Sequence, residues 1–275
     1  QRGHLRAARR RLRRRGRRLL SGLIAAGRGR PRAHLLISDA DARPPVIAVA
    51  GGKGGSGKTT TTVGLASALS RRGASVVAAD ADWDLPNLNG LATEAGVAAP
   101  TPSLTASTGA PPTIPEAVRG GETVRPSRSL PLVLAPPRAS DDVDADAVFA
   151  SLAGATSSER PTLLDCPAGA SPDVAAPLRA ADRCLLVTPL RRPALRDAVK
   201  TVAIARRLDC PPIGVVAVRT GSVPDGVRDL FGCSVLGRVP EADAEPLSDP
   251  TVRSAYDDLA RRLVRRDVAS DWRVA

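Results

Sequence analysis

A chain of 275 residues with 43% hydrophobic content can bury the core of one large α/β domain or two small ones, which excludes an extended or disordered polypeptide. The formal charge of +12 is not spread evenly: residues 1–36 hold thirteen Arg and no Asp or Glu, so the remainder is close to neutral and a uniformly basic surface is excluded. No apolar run approaches the roughly 20 residues that cross a bilayer, so the chain reads as a cytoplasmic protein.

Residues 1–42 form an Arg-rich N-terminal extension ahead of a single domain over residues 43–275. Leu5, Ala8, Leu12, Leu19, Leu20, Leu23 and Ile24 recur at near-helical spacing among the arginines, which suits lipid headgroups or nucleic acid; disorder fits equally well. The chain contains no Met, so its first residues also read as a fragment or a misplaced start. Arg17 to Ala26 is basic and then apolar like a short signal sequence, without a convincing cleavage context. Both histidines, His4 and His34, lie in or just after this stretch, which leaves the domain without a histidine for Ser-His-Asp or Cys-His catalysis.

From Val46 onward, short apolar runs alternate with helix-like periods, the pattern of a mostly parallel β-sheet flanked by helices. Val46–Ala50 is the first strand. A helix follows from Thr59 to about Arg72, with Val63, Ala66 and Leu69 on one face and Gly73 as its stop. Ser75–Ala79 is the next strand and ends at Asp80. Gly96 to Pro115, rich in Pro, Thr, Ser and Ala, reads as a surface loop. Further strands are expected at Leu130–Leu134, Thr162–Leu164, Cys184–Val187, Ile213–Val218 and Ser234–Leu236, with helices between most of them. Cys166, Cys184, Cys210 and Cys233 form no C-x-x-C pair and read as small buried hydrophobes.

The segment Gly52-Lys53-Gly54-Gly55-Ser56-Gly57-Lys58-Thr59 matches G-x-x-x-x-G-K-[ST] between a strand and a helix, the context in which this motif binds phosphate. Its glycines let backbone N–H groups turn inward, and the helix N-terminus adds a partial positive charge. Lys58 would neutralise the β and γ phosphates of ATP, and the Thr59 hydroxyl would ligate Mg²⁺. Lysine is scarce here, with only Lys53, Lys58 and Lys200 in the whole chain, so a second lysine inside the loop is informative. A charge at position 53 is favourable beside a triphosphate and more so as transition-state charge develops.

The run Lys53-Gly54-Gly55-Ser56-Gly57-Lys58-Thr59-Thr60 resembles the deviant Walker A motif of the MinD and ParA family of P-loop ATPases. Asp80-Ala81-Asp82 followed by Leu85, Asn87 and Leu88 is similar to that family's first switch. Leu163-Leu164-Asp165-Cys166-Pro167-Ala168-Gly169 resembles its Walker B strand and second switch, and Val187-Thr188-Pro189 with Ala194-Leu195-Arg196-Asp197 the segment after it. The likeness spans residues 46 to 265 and leans to the MinD branch. In ParA partition proteins the acidic pair is usually followed by Pro-Gln, where Trp83-Asp84 stands here.

This resemblance implies a P-loop NTPase fold and two protomers closing face to face around two ATP molecules, with Lys53 reaching the partner's site. It assigns Gly54, Gly55, Ser56, Gly57, Lys58, Thr59 and Thr60 to the phosphates, and Asp82 to the attacking water. Asp165, at the end of an apolar strand, is placed to hold Mg²⁺ through water with Thr59, and Asp80 to support the metal shell. The family often carries Asn-Arg after the strand equivalent to Ile213–Val218. Here the pair is Val218-Arg219, so base recognition would fall to Arg219 and to Pro240 of Val239-Pro240-Glu241.

MinD-like proteins attach to membranes through a C-terminal amphipathic helix, and Ala255 to Val268 is the candidate. Tyr256, Leu259, Leu263 and Val264 form an apolar face and Arg261, Arg262, Arg265 and Arg266 a polar one, suited to the inner membrane surface or to packing on the sheet. The expected function is thus a MinD-like ATPase dimer positioning a division site or cargo, stimulated by an activating protein. The alternatives are a ParA-like DNA partition ATPase and a nucleotide-binding regulator that no longer hydrolyses ATP.

Overall fold

The computed structural model of the chain describes residues 46–97, 111–120, 130–155, 161–169, 171–242 and 245–267, with side chains given to residue 264. The Arg-rich extension, most of the expected loop from 96 to 115, and the side chains of Arg265 and Arg266 lie outside the described residues.

Seven parallel strands form one sheet. In chain order the elements are β1 (Val46–Ala50), α1 (Lys58–Arg71), β2 (Val77–Asp80), α2 (Leu88–Glu94), α3 (Ile114–Gly120), β3 (Leu132–Leu134), α4 (Ala145–Ala155), β4 (Thr162–Asp165) and α5 (Ala175–Ala180). They continue with β5 (Arg183–Pro189), α6 (Arg192–Arg207), β6 (Pro212–Val218), α7 (Gly226–Phe231), β7 (Val235–Val239) and α8 (Pro250–Asp267). The strand order is β3-β2-β4-β1-β5-β6-β7, so β1 lies at the centre between β4 and β5. Helices cover both faces, which is why β1 reads as an unbroken apolar run rather than an alternating one. Its side chains still divide between the faces. Ile47 and Val49 join the core beneath α1, α2 and α8, while Val46, Ala48 and Ala50 join the core beneath α4 and α5.

Element boundaries shift where ladder partners decide them. Strand β2 starts at Val77, whose N–H donates to Pro161 O at 3.0 Å, and it takes in Asp80, opposite Asp165. Strands β5 and β7 run further than their apolar runs, because Pro189 and Val239 still face Val218 across the sheet. The loop expected up to Pro115 is overrun by α3, which opens with a reciprocal cap. Thr113 N donates to Glu116 Oε2 at 2.9 Å and Glu116 N to Thr113 Oγ1 at 3.4 Å, a T-x-x-E signature hidden in a Pro-rich interval.

Of the two readings of the C-terminal helix, the side chains described to residue 264 take packing on the sheet. Tyr256, Leu259 and Leu263 are 2%, 1% and 0% exposed, packed beneath the sheet against α1. Two contacts lock α8 there. A Cβ at Gly64 would lie 2.4 Å from Tyr256 Cδ2, so only glycine admits the ring, and the Tyr256 hydroxyl shares a hydrogen bond with Thr61 Oγ1 at 3.3 Å. Burial pushes the Tyr256 phenol up to about 12. On the outer side, the Arg262 guanidinium donates to Leu236 O at 2.9 Å on the edge of β7. No described helix is long and apolar enough to cross a membrane.

Two glycine substitutions test this packing with opposite signs. Gly64→Ala, although it raises helix propensity, should destabilise the protein by about 1–3 kcal/mol through overpacking against Tyr256. Gly154→Ala, in α4 with nothing near its Cβ, should stabilise it by about 0.4–1 kcal/mol. Urea unfolding of the nucleotide-free protein measures both, and equal effects of the two would contradict the α1–α8 contact.

Candidate functional site

The loop between β1 and α1 is shaped by what presses on it. Helix α6 approaches so closely that a Cβ at Gly52 would lie 2.5 Å from the Ala198 backbone nitrogen. Gly55 and Gly57 turn the chain with φ of 69° and 87°, the left-handed region that glycine adopts without penalty. Gly54 and Gly55 face open space, with nothing within 4 Å of where a Cβ would stand. Ser56 is buried and its Oγ has no hydrogen-bond partner, a polar atom left over within the loop. Lys58 opens α1 and is 7% exposed, and Thr59 and Thr60 complete the first turn half-buried.

Opposite the loop stand two acids. Asp80 and Asp165 end adjacent parallel strands and are register partners, so their side chains share a face of the sheet. Asp165 Oδ1 accepts from Thr62 Oγ1 at 3.0 Å. Burial pushes the Asp165 carboxyl up to about 7, with Asp80 adding to the rise and Thr59, Lys58 and Thr62 opposing it. Burial likewise raises Asp80 to about 6, against backbone N–H bonds from Leu88, Asp82 and Asn87. Those bonds, each 3.0 Å long, make Asp80 the staple of the following segment as well as an acid beside the loop. Asp82 in turn accepts from Leu85 N at 3.1 Å. Thr59 Oγ1 sits between the Asp165 carboxylate and Asn87 Oδ1, to which it donates at 3.1 Å.

Two buried carboxylates that resist ionisation thus stand side by side, with the buried Lys58 acting on Asp165. A hydroxyl and two carboxylates form an oxygen donor set of the kind Mg²⁺ takes, and a divalent cation would supply the missing positive charge. Thr59, Asp165 and Asp80 are the residues that could hold it.

Lys53 stands apart from this cluster. Its side chain is 56% exposed and pairs with Asp197 on α6 at 3.6 Å; Lys200 pairs with the same carboxylate at 3.1 Å. The Lys200 hydrogen bond, with smaller help from Lys53, holds the Asp197 carboxyl below its usual range. Arg219 reaches the loop, where its Nη2 donates to Gly55 O at 2.7 Å. Pro240 instead borders a cavity of about 500 Å³ between β7 and α8, shared with Thr220 and Val223. The structure therefore brings the predicted phosphate, acid and lysine residues to one edge of the sheet, with Pro240 further out. Thr62, Asn87 and Asp197 had no assigned role in the sequence, yet each contacts a residue that did. The signal for Thr62 was available: it lies one helical turn after Lys58, whose carbonyl its hydroxyl also reaches at 3.0 Å. Cys166, Cys184 and Cys210 are buried thiols, pushed up by burial, as their reading as small hydrophobes anticipates, whereas Cys233 is only half-buried.

Residues 47–247 match the model of the CobQ/CobB/MinD/ParA nucleotide binding domain. The septum site-determining protein MinD of Synechocystis is 29% identical over 251 residues, covering 81% of this chain and 90% of that protein. An uncharacterized ATP-binding protein of Methanocaldococcus jannaschii is 32% identical over 218 residues, covering 76% and 77%. Among solved structures, MinD from Pyrococcus horikoshii complexed with Mg-ADP superposes with a TM-score of 0.64 at 20% identity, covering 84% of this chain and all of that one. A ParA family ATPase from Chlorobium tepidum gives 0.56 at 16% identity, covering 82% and 98%. At these identities the structures share the fold.

The paired acids imply a pH dependence with a definite sign. Both are raised above their ordinary value of 3.8, so the native state holds protons that the unfolded chain has released. Their contribution to stability is full below about pH 4 and is lost as the pH rises through about 6 and 7. The melting temperature of nucleotide-free, Mg²⁺-free protein should therefore fall between about pH 4 and 7 and level off above, and Asp165→Asn should flatten that fall. An Asp165→Asn profile parallel to wild type would refute the assignment.

Proposed function

The chain belongs to the CobQ/CobB/MinD/ParA nucleotide-binding family, and on that premise we propose that it is a Mg²⁺-dependent, MinD-like ATPase acting as a nucleotide-switched dimer that positions a division site or cargo. The observation that carries this reading is Lys53. In a chain with three lysines, a second one stands in the phosphate loop beside Lys58, exposed, and held by an ion pair at the surface. Such a pair contributes little, so the ammonium is available to phosphates brought by a second protomer. The MinD relative, matched over nine-tenths of its length, supports the branch.

In this reading Lys58 and the loop N–H groups, Gly54 to Thr60, hold the β and γ phosphates, with the α1 N-terminus adding its partial charge. Mg²⁺, when bound, would supply positive charge against that building on the phosphates. Thr59, Asp165 and Asp80 would hold the ion. Thr62 keeps Asp165 turned toward the site, and Asp80 keeps residues 82–88 folded beside it. Asp82 orients the attacking water. Lys53 exchanges Asp197 for the partner's triphosphate, and an activating protein would act on that exchange.

The surface on which the dimer works has two readings. Burial of Tyr256, Leu259 and Leu263 removes the apolar face that 255–264 would offer to a membrane. Arg192, Arg196 and Arg207 are exposed on α6, which favours DNA as the second reading. ATP-dependent, salt-sensitive DNA retention would select the ParA-like alternative.

Size measurement with ADP and ATP, paired with phosphate release in Mg²⁺ and in EDTA, tests the proposal. Lys58→Ala should lose ATP binding by at least about a hundredfold. Lys53→Ala should bind ATP as a monomer, and Asp82→Ala should accumulate as an ATP-bound dimer. A monomeric Asp82→Ala variant with ATP, or Mg²⁺-independent turnover, would sink this reading.

A further inference from the structure

The carboxyl end of β6 meets the phosphate loop at two points. Val218 Cγ2 lies in van der Waals contact, 3.5 Å, with where a Cβ at Gly57 would stand, and Arg219 Nη2 donates to the Gly55 carbonyl at 2.7 Å across 164 residues of chain. Arg219 does so from an unfavourable backbone conformation: its φ is 54°, in the left-handed region. Among the described non-glycine residues only Asp209 shares that sign, and Asp tolerates it better than most. The chain has 24 Gly and places glycine at six other described left-handed positions, so a turn alone would be better served by glycine here. Strain of this kind persists where the surroundings enforce it and the side chain is used.

Both conditions are met. Val218 is paired with Val239 in the β6–β7 ladder, and Thr220 N donates back to Val239 O at 3.2 Å, so the kink at Arg219 is pinned on either side. The guanidinium then fixes one end of the peptide unit joining Gly55 to Ser56. Because that unit is planar, holding the Gly55 carbonyl also sets the direction of the Ser56 N–H, which rests on Lys53 O at a long 3.3 Å. A phosphate oxygen can replace so weak a partner.

We propose that Arg219 is a positioning residue that clamps the phosphate loop into its binding shape before nucleotide arrives. The inference rests on the loop being a triphosphate site. Its effect is to remove the ordering that an otherwise loose Gly-rich loop would undergo on binding. It differs from a direct contact to the base or phosphates, because the clamp acts in the nucleotide-free protein.

Amide hydrogen exchange of the full chain without nucleotide, alongside titration with a fluorescent ATP analogue in Mg²⁺, tests it on Arg219→Gly and Arg219→Lys. Arg219→Gly should speed exchange in the 52–57 loop by about tenfold and weaken the analogue by about tenfold, the scale of one charged hydrogen bond. Its melting temperature should hold or rise, because glycine relieves the backbone. Arg219→Lys, which keeps a donor, should restore part of the protection and part of the affinity. Unchanged loop exchange in Arg219→Gly overturns the clamp even where affinity falls, since the guanidinium would then be touching nucleotide directly. A lowered melting temperature with faster exchange throughout β6 and β7 also overturns it. A wild-type chain that fails to bind the analogue sinks the ATP reading, while a loosened loop in Arg219→Gly still upholds the clamp.

Discussion

Asp80 and Asp165 are held side by side at the ends of neighbouring parallel strands, out of water, and the buried Lys58 acts on Asp165. That arrangement is unfavourable on its own, and much of the molecule exists to impose it. The β2–β4 register sets the two acids on one face, Thr62 and Thr59 approach from the first turn of α1, and backbone N–H groups fold residues 82–88 around Asp80. A protein gains from such a charge deficit when a cation and a polyanion complete it together, because each then binds more strongly than it would in a neutral cleft. The acid pair thereby links α1 and the acidic turn after β2 into one electrostatic unit.

Much of this was legible in the residues. Parallel strands buried on both faces leave continuous apolar runs, and the G-x-x-x-x-G-K-T segment announces its strand and helix locally. Contacts between distant segments left no such trace. Thr62 finds Asp165 across 103 residues, and the exposed Lys53 finds Asp197 only because α6 crosses over Gly52. Strand order decides these meetings, and no spacing in the chain encodes it. The Thr113–Glu116 cap is the opposite case, a local signature obscured by the Pro-rich residues around it.

The C-terminal helix shows why an amphipathic pattern is ambiguous. An apolar stripe with arginines opposite suits a bilayer surface and a protein core equally. The deciding residue lay elsewhere: Gly64, in the middle of α1, is where Tyr256 docks. The same helix α1 carries Lys58 at its start, so the phosphate site and the C-terminal helix are joined through a single helical turn, from Lys58 to Thr61 and Thr62.

Lysine scarcity has a practical consequence at the bench. Nearly every cation in this chain is an arginine, whose guanidinium stays protonated and inert to acylating reagents at neutral pH, whereas lysine amines react. Of the three lysines, Lys58 is buried, and Lys53 and Lys200 are exposed and meet at the Asp197 carboxylate. Amine-selective labelling is therefore confined, within the described residues, to the rim of the phosphate loop. The protein carries a natural footprinting probe at the one place where its chemistry is expected to change.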